Sequence, residues 1–433
     1  MLGTLLFFLT IIFEIAFATY CIVTKQNHKK FKNWMRIGEG LIFFILIISS
    51  TITWSFRWIL PLLLFILLFA MAIISLMRNR DVQYKTFRIV RNFIATTLLI
   101  VLAFAPVLLF PQYKIAKVTG DYDIATATYT YVDENRTEEF SDTEQKRFVN
   151  VQFWYPETNS GSYPLVVFSH GANGVKASNT STFKELASHG YVVCSIDHTY
   201  HSFFTASNDG SITMANKDYL SEISNANKED FYTREELHGL IQKWMTLRTD
   251  DINFVIDTIR SKSKKENAPV YKLINTDLIG VFGHSMGGAA SVGIGRKRND
   301  IKAVVNIDGP LFSELVYDQE SDNFISNNKE YSTPLLNIYS DDVWEQLESN
   351  STYAANNTIE KSGKEVYSVH FQGAKHLSFT DLSLVSPILA TVLQGGKASI
   401  DKYECIEKEN ELIVKFFDHT LKNTGPFSFE KTY

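Results

Sequence analysis

Residues 283–288 read Gly283-His284-Ser285-Met286-Gly287-Gly288, which puts a serine at the centre of a G-x-S-x-G pattern. A serine hydroxyl is a weak nucleophile until a neighbouring base takes its proton. The pattern suits acyl transfer where it joins a strand to a helix. There the sharp turn lifts the hydroxyl above the sheet and leaves backbone amides to receive a developing oxyanion. That setting is expected here: residues 278–282 read as a short apolar strand, and Ala289-Ala290-Ser291 open a helix. A base and an acid should follow in the order Ser, acid, His. His376 lies just past the last expected strand, in a loop beside Gly373; His370 falls inside that strand and His419 in the final helix. Two strand ends offer the acid. Asp308 closes a strand at 303–307, while Asp341 and Asp342 follow one at 335–339. A carboxylate at either end could orient the imidazole and stabilise its charged form, and spacing does not choose between them. Upstream, Ser169-His170-Gly171-Ala172-Asn173-Gly174 follows a strand at 163–169. Its glycines allow amides to face a substrate oxygen, so the backbone N–H groups of Ala172 and Met286 are the expected oxyanion donors.

No cofactor or metal is expected. None of the ten histidines lies in an H-E-x-x-H pattern, and Cys21, Cys194 and Cys405 are too few for a cysteine-rich zinc site.

These residues need a rigid frame, and the sequence from 112 onward supplies one. Strands are expected at 122–132, 147–155, 163–169, 191–196, 278–282, 303–307, 335–339 and 366–371. Helices are expected at 183–189, 243–259 and 412–421. Near-continuous apolar strands alternating with helices predict an α/β fold, a mainly parallel sheet covered on both faces. The stretch 201–245 is long for a connection inside such a unit and contains Phe203, Phe204, Tyr219, Phe231 and Tyr232, so it reads as a lid bordering the cleft.

The first 111 residues are a different material. Apolar runs at 2–23, 41–56, 58–77 and 93–111 each approach or exceed the roughly 18–20 residues that cross a bilayer as a helix. About four transmembrane helices are therefore expected, followed by a catalytic domain at 112–433. Glu14, in the middle of the first run, reads as a protonated carboxyl bonded to a neighbouring helix. Lys25, Lys29, Lys30, Lys32 and Arg36 fill the first connection, and Arg78, Arg80, Lys85, Arg88 and Arg91 the third. Four spans put both on the cytoplasmic side and the C-terminal domain outside.

Charge follows the same division. The first 112 residues carry a net +8; with the whole chain at −5, the remainder carries −13. A domain of that charge repels phosphate backbones, so nucleic acid is excluded as a partner. An ester or a lipid is the expected substrate.

The segments 164–171, 186–193, 283–288, Ile307-Asp308-Gly309 and 373–379 together resemble the platelet-activating factor acetylhydrolase (plasma and intracellular type II) group of α/β-hydrolases. They are also similar to bacterial esterases and cutinase-like polyester hydrolases. The resemblance spans about residues 120–425 and implies an α/β-hydrolase fold with a Ser-His-Asp triad that hydrolyses carboxylic esters. In the acetylhydrolases the acid follows the strand that ends at Asp308; cutinase-like relatives use the next strand, the position of Asp341 and Asp342. The membrane segment has no counterpart in the secreted acetylhydrolases. Acyl transfer to a cell-envelope acceptor would use the same triad, and a non-catalytic membrane assembly or sensor protein could retain the fold without it.

Overall fold

A computed structural model describes residues 2–78, 83–141, 143–158 and 160–433. Its contacts divide the chain into two compact units, Met1–Lys114 with Val385–Leu389, and Ile115–Leu384 with Ala390–Tyr433.

The first unit contains four helices, α1 (Leu2–Thr24), α2 (Lys29–Ile48), α3 (Ile59–Arg78) and α4 (Thr86–Leu109). Among the described residues, three segments are long and apolar enough to cross a membrane: Leu2–Thr24, Phe56–Arg78 and Thr86–Leu109. The expectation of four spans is corrected at α2. Its first half carries Lys29, Lys30, Lys32, Arg36 and Glu39, and the helix stops at Ile48, where Ser50 turns with φ 56°. Only residues 40–48 are uniformly apolar, about 13 Å of helix against roughly 30 Å of hydrocarbon. Glu14 also differs from expectation. It is buried and accepts from Lys32 Nζ at 2.5 Å and from Arg36 Nη2 at 3.1 Å, so α2 brings two cations to the acid inside α1. Arg80 and Asp81, counted in the later basic connection, lie outside the described residues.

The second unit is built on eight strands. β1 (Ile124–Thr137) and β2 (Lys146–Pro156) form an antiparallel pair, followed by β3 (Tyr163–Ser169), helix α5 (Thr180–Ser188) and β4 (Val192–Asp197). A small hairpin, β5 (Phe204–Ala206) and β6 (Ile212–Met214), and helix α6 (Lys217–Ala226) fill the insertion. The long α7 (Arg234–Lys265) and the one-turn α8 (Pro269–Lys272) lead into β7 (Ile274–His284), and α9 (Met286–Lys297) leads from it to β8 (Ile301–Ile307). A second hairpin, β9 (Leu315–Asp318) and β10 (Asn323–Ser326), precedes β11 (Leu335–Tyr339) and β12 (Val366–His370). The C-terminal helix Lys402–Lys422 closes the unit.

The sheet order is β1-β2-β4-β3-β7-β8-β11-β12, parallel from β4 through β12. Period-two alternation assigns its residues to two cores. Val167 and Val281 join Ile252, Val255 and Ala289 of α7 and α9 on one face; Phe168 and Phe282 join Phe183 and Phe416 on the other. Helix α7 starts nine residues before its expected position, because Thr233 and Glu236 form a reciprocal capping box. The insertion is therefore residues 198–233, shorter than 201–245 and largely ordered by its own hairpin and helix.

Candidate active site

In an open parallel sheet, ligands settle at the carboxyl ends of the strands where the winding reverses. Here β3 leads through α5 to β4 on one side, and β7 leads through α9 to β8 on the other, so the reversal lies between β3 and β7. Their ends carry Ser169-His170-Gly171 and His284-Ser285.

Ser285 links β7 to α9 with φ 55° and ψ −124°. That conformation is strained for a residue with a Cβ, and such strain gathers at functional positions. Its neighbours explain the glycines of the motif. A Cβ on Gly283 would fall 2.3 Å from the Gly287 carbonyl, and one on Gly287 would fall 1.9 Å from the Ser169 carbonyl oxygen. The turn thus closes against itself and against the end of β3. Ser285 N–H donates to Ile307 O at 2.7 Å, and the side chain is half-buried.

Asp308 is fully buried at the end of β8, with φ 54°. Its Oδ2 lies 2.7 Å from His376 Nδ1. Ser340 donates to the same carboxylate from its N–H at 2.6 Å and its hydroxyl at 2.9 Å. Asp341 instead bonds His370 Nε2 at 2.7 Å and Gly373 N–H at 2.9 Å, and Asp342 pairs with Lys375 at 2.9 Å. Neither reaches His376. His419 bonds the carbonyl of Gly425.

His284, the variable residue before the serine, was not read from sequence as part of this site. Its Nε2 donates to the His376 carbonyl at 2.8 Å, and the two rings lie 4.5 Å apart. Burial, reinforced by His376, pushes its pKa down to about 3, so the ring is neutral and holds the loop through one N–H. Among the described residues Ser285 Oγ makes no hydrogen bond. Side chains of catalytic groups often align only with substrate bound.

The loop after β3 comes close to the serine: a Cβ on Gly171 would lie 3.3 Å from Ser285 Cβ. Among the described residues, neither Ala172 N–H nor Met286 N–H donates to another group. Two uncommitted amides beside a serine are what an oxyanion requires.

A second constellation lies beneath this loop. Ser169 Oγ is 2.9 Å from His198 Nε2, and His198 Nδ1 is 3.0 Å from Asp251 Oδ2. Arg147 and Arg136 grip Asp251 at 2.6 and 2.9 Å. Ser169, His198 and Asp251 are at most 1% exposed, and burial holds His198 down to about 4 and thus neutral. Beyond them, a cavity of about 560 Å³ is lined by Arg136, Phe140, Arg147, His201 and Lys243 but by none of Ser285, Asp308 and His376. Tyr219 stacks on His201 of its lining at 3.8 Å.

Comparison with known proteins agrees with this architecture. Ferulic acid esterase from Streptomyces cinnamoneus superposes with a TM-score of 0.55 at 19% identity, over 73% of this chain and 96% of its own. Platelet-activating factor acetylhydrolase of Canis lupus familiaris is 22% identical over 289 residues, covering 62% of this chain and 60% of that protein. A probable 1-alkyl-2-acetylglycerophosphocholine esterase of Arthroderma benhamiae is 25% identical over 153 residues, 35% of this chain and 33% of that one. The chain thus spans about three fifths of the length of the acetylhydrolase it matches. Residues 144–428 match the family described as platelet-activating factor acetylhydrolase, isoform II, and since this is most of the chain, the protein belongs to that family, on an α/β-hydrolase fold preceded by apolar helices.

Proposed function

We propose that the protein is a membrane-anchored serine hydrolase of carboxylic esters. Ser285 attacks the ester carbonyl and His376 accepts its proton. Asp308 orients the imidazole and balances its charge, while the amides of Ala172 and Met286 stabilise the oxyanion. Collapse of the tetrahedral intermediate expels the alcohol, protonated by His376. Water, deprotonated by the same imidazole, then attacks the acyl-enzyme and releases the acid. The observation that carries this reading is the 2.7 Å contact between His376 and a buried carboxylate on the strand beside the Ser285 turn. The names borne by the relatives favour short acyl esters of glycerophospholipids as first substrates. Turnover of nitrophenyl acetate, butyrate and palmitate by the purified protein tests this; no turnover of any ester would refute it.

The anchor is α1, α3 and α4. With three crossings the domain lies on the same side as the first connection, which carries Lys25, Lys29, Lys30, Lys32 and Arg36, and opposite the connection before the last span. That connection carries Arg78, Arg80, Lys85, Arg88 and Arg91 against Asp81. Lys32 and Arg36 of the first connection are spent on Glu14, which leaves the later connection with the larger net charge; with its cations cytoplasmic, as charge bias in short loops requires, the catalytic domain faces outward. Protease added to intact cells should degrade it; degradation only after lysis would reverse the orientation.

A further inference from the structure

Among the described residues Arg248 is the largest fully buried side chain; it lies in α7, on a buried face shared with Trp244, Met245, Asp251, Ile252 and Val255. Among the described residues it meets no carboxylate within ion-pair distance. A buried cation without a direct counter-ion is costly unless every donor finds an acceptor. Its Nε finds none, and the acceptors of its other two nitrogens belong to the loop after β3. One guanidinium nitrogen donates to the His170 carbonyl and lies 3.5 Å from Ser169 Oγ; the other lies 3.4 Å from the Gly171 carbonyl. The Tyr219 hydroxyl faces the guanidinium and donates to Met286 Sδ at 3.7 Å. Tyr219 is fully buried and comes from α6 of the insertion.

We propose that Arg248, flanked by Tyr219, is the positioning residue that aims the Ala172 amide at the oxyanion. In a planar trans peptide the carbonyl of one residue and the N–H of the next point in opposite directions. Drawing the Gly171 carbonyl down toward Arg248 therefore turns the Ala172 N–H up toward Ser285. Gly171 O also accepts from His170 Nδ1 at 2.7 Å and from Gly174 N–H at 3.1 Å, so three donors fix this one peptide plane. The insertion then contributes to the machinery, because Tyr219 stands beside the guanidinium that sets the loop. Both residues act through the loop and touch no reacting atom.

This inference rests on Ser285 being the nucleophile, and its test separates the two. Arg248→Lys keeps the charge but cannot hold two carbonyls in a fork; Tyr219→Phe removes one hydroxyl and keeps the stack on His201. Both are compared with the wild type and Ser285→Ala as full-length protein in detergent. The readouts are kcat and KM for nitrophenyl acetate, and the inhibition constant of a trifluoromethyl ketone, which forms an oxyanion adduct. Losing one oxyanion donor costs about 10²–10³ in kcat, so a misaimed donor should cost roughly 10- to 100-fold in Arg248→Lys and several-fold in Tyr219→Phe. KM should stay within about twofold, and ketone affinity should fall in step with kcat, a parallel that a merely structural role would not give. Wild-type kcat and ketone affinity in both variants, with Ser285→Ala inactive, would overturn this inference alone. An active Ser285→Ala would overturn the functional reading beneath it.

Discussion

Among the described residues two Ser–His–Asp groupings stand out, and on hydrogen bonds alone the one not proposed for catalysis looks better. Ser169, His198 and Asp251 form an unbroken chain of 2.9 and 3.0 Å contacts, whereas Ser285 makes no bond to His376. Their surroundings separate them. Ser169 is 1% exposed inside the end of a regular strand, and Asp251 is spent on two arginines. Ser285 is half-buried on a strained turn with two uncommitted amides beside it, and its neighbour His376 is 36% exposed at the side chain. Catalysis needs a reachable nucleophile and donors aimed at charge that has yet to form; a satisfied buried relay provides rigidity. The inner set braces the loop from which the proposed mechanism draws one of its oxyanion donors.

The comparison breaks most sharply at the serines. Ser285→Ala should lower ester turnover by roughly 10⁶-fold, the scale of losing a triad nucleophile, with no loss of melting temperature. Next come the acids: Asp308→Asn should lower kcat by about 10⁴-fold, the cost of neutralising a triad carboxylate, while Asp341→Asn and Asp342→Asn stay within severalfold of wild type. If Asp341→Asn proves the crippling change, the acid belongs to β11.

A smaller effect should appear in acid. Burial holds His170, His198, His201 and His284 below the ordinary histidine range, His198 at about 4 and His284 at about 3. A lowered pKa in the fold gives stability that is complete above about 6.5 and is lost as pH falls toward the folded value. Melting temperature of the purified protein should therefore drop steadily from pH 6.5 to 4, with His198→Asn flattening the profile. A flat wild-type profile would mean these rings protonate without unfolding. Smallest of all, Ser169→Ala should cost about 1–2 kcal/mol of stability by leaving His198 Nε2 unpartnered, and should keep full labelling by an active-site probe.

Much of the outer set was legible because its signals are local. The glycines around Ser285, the strand end at Asp308 and the loop at His376 each announce themselves within a few residues, and the mainly parallel sheet follows from strands that are apolar throughout. The acid was not legible from spacing, since Asp308 and Asp341 both end strands; which one faces the imidazole depends on the neighbouring Ser340 and His370. The inner set left no trace in sequence. Ser169 and His198 are 29 positions apart, and His198 and Asp251 are 53. The span count failed for a related reason: the turn at 49–55 interrupts an apolar run without any charge to mark it.

The claim that Ser285 and not Ser169 is the nucleophile has one direct test, intact-protein mass spectrometry after treatment with a fluorophosphonate. The account predicts one adduct per chain on wild type and on Ser169→Ala, mapped to the peptide containing Ser285, and none on Ser285→Ala. An adduct that persists on Ser285→Ala, or disappears with Ser169→Ala while that variant stays folded, would contradict it.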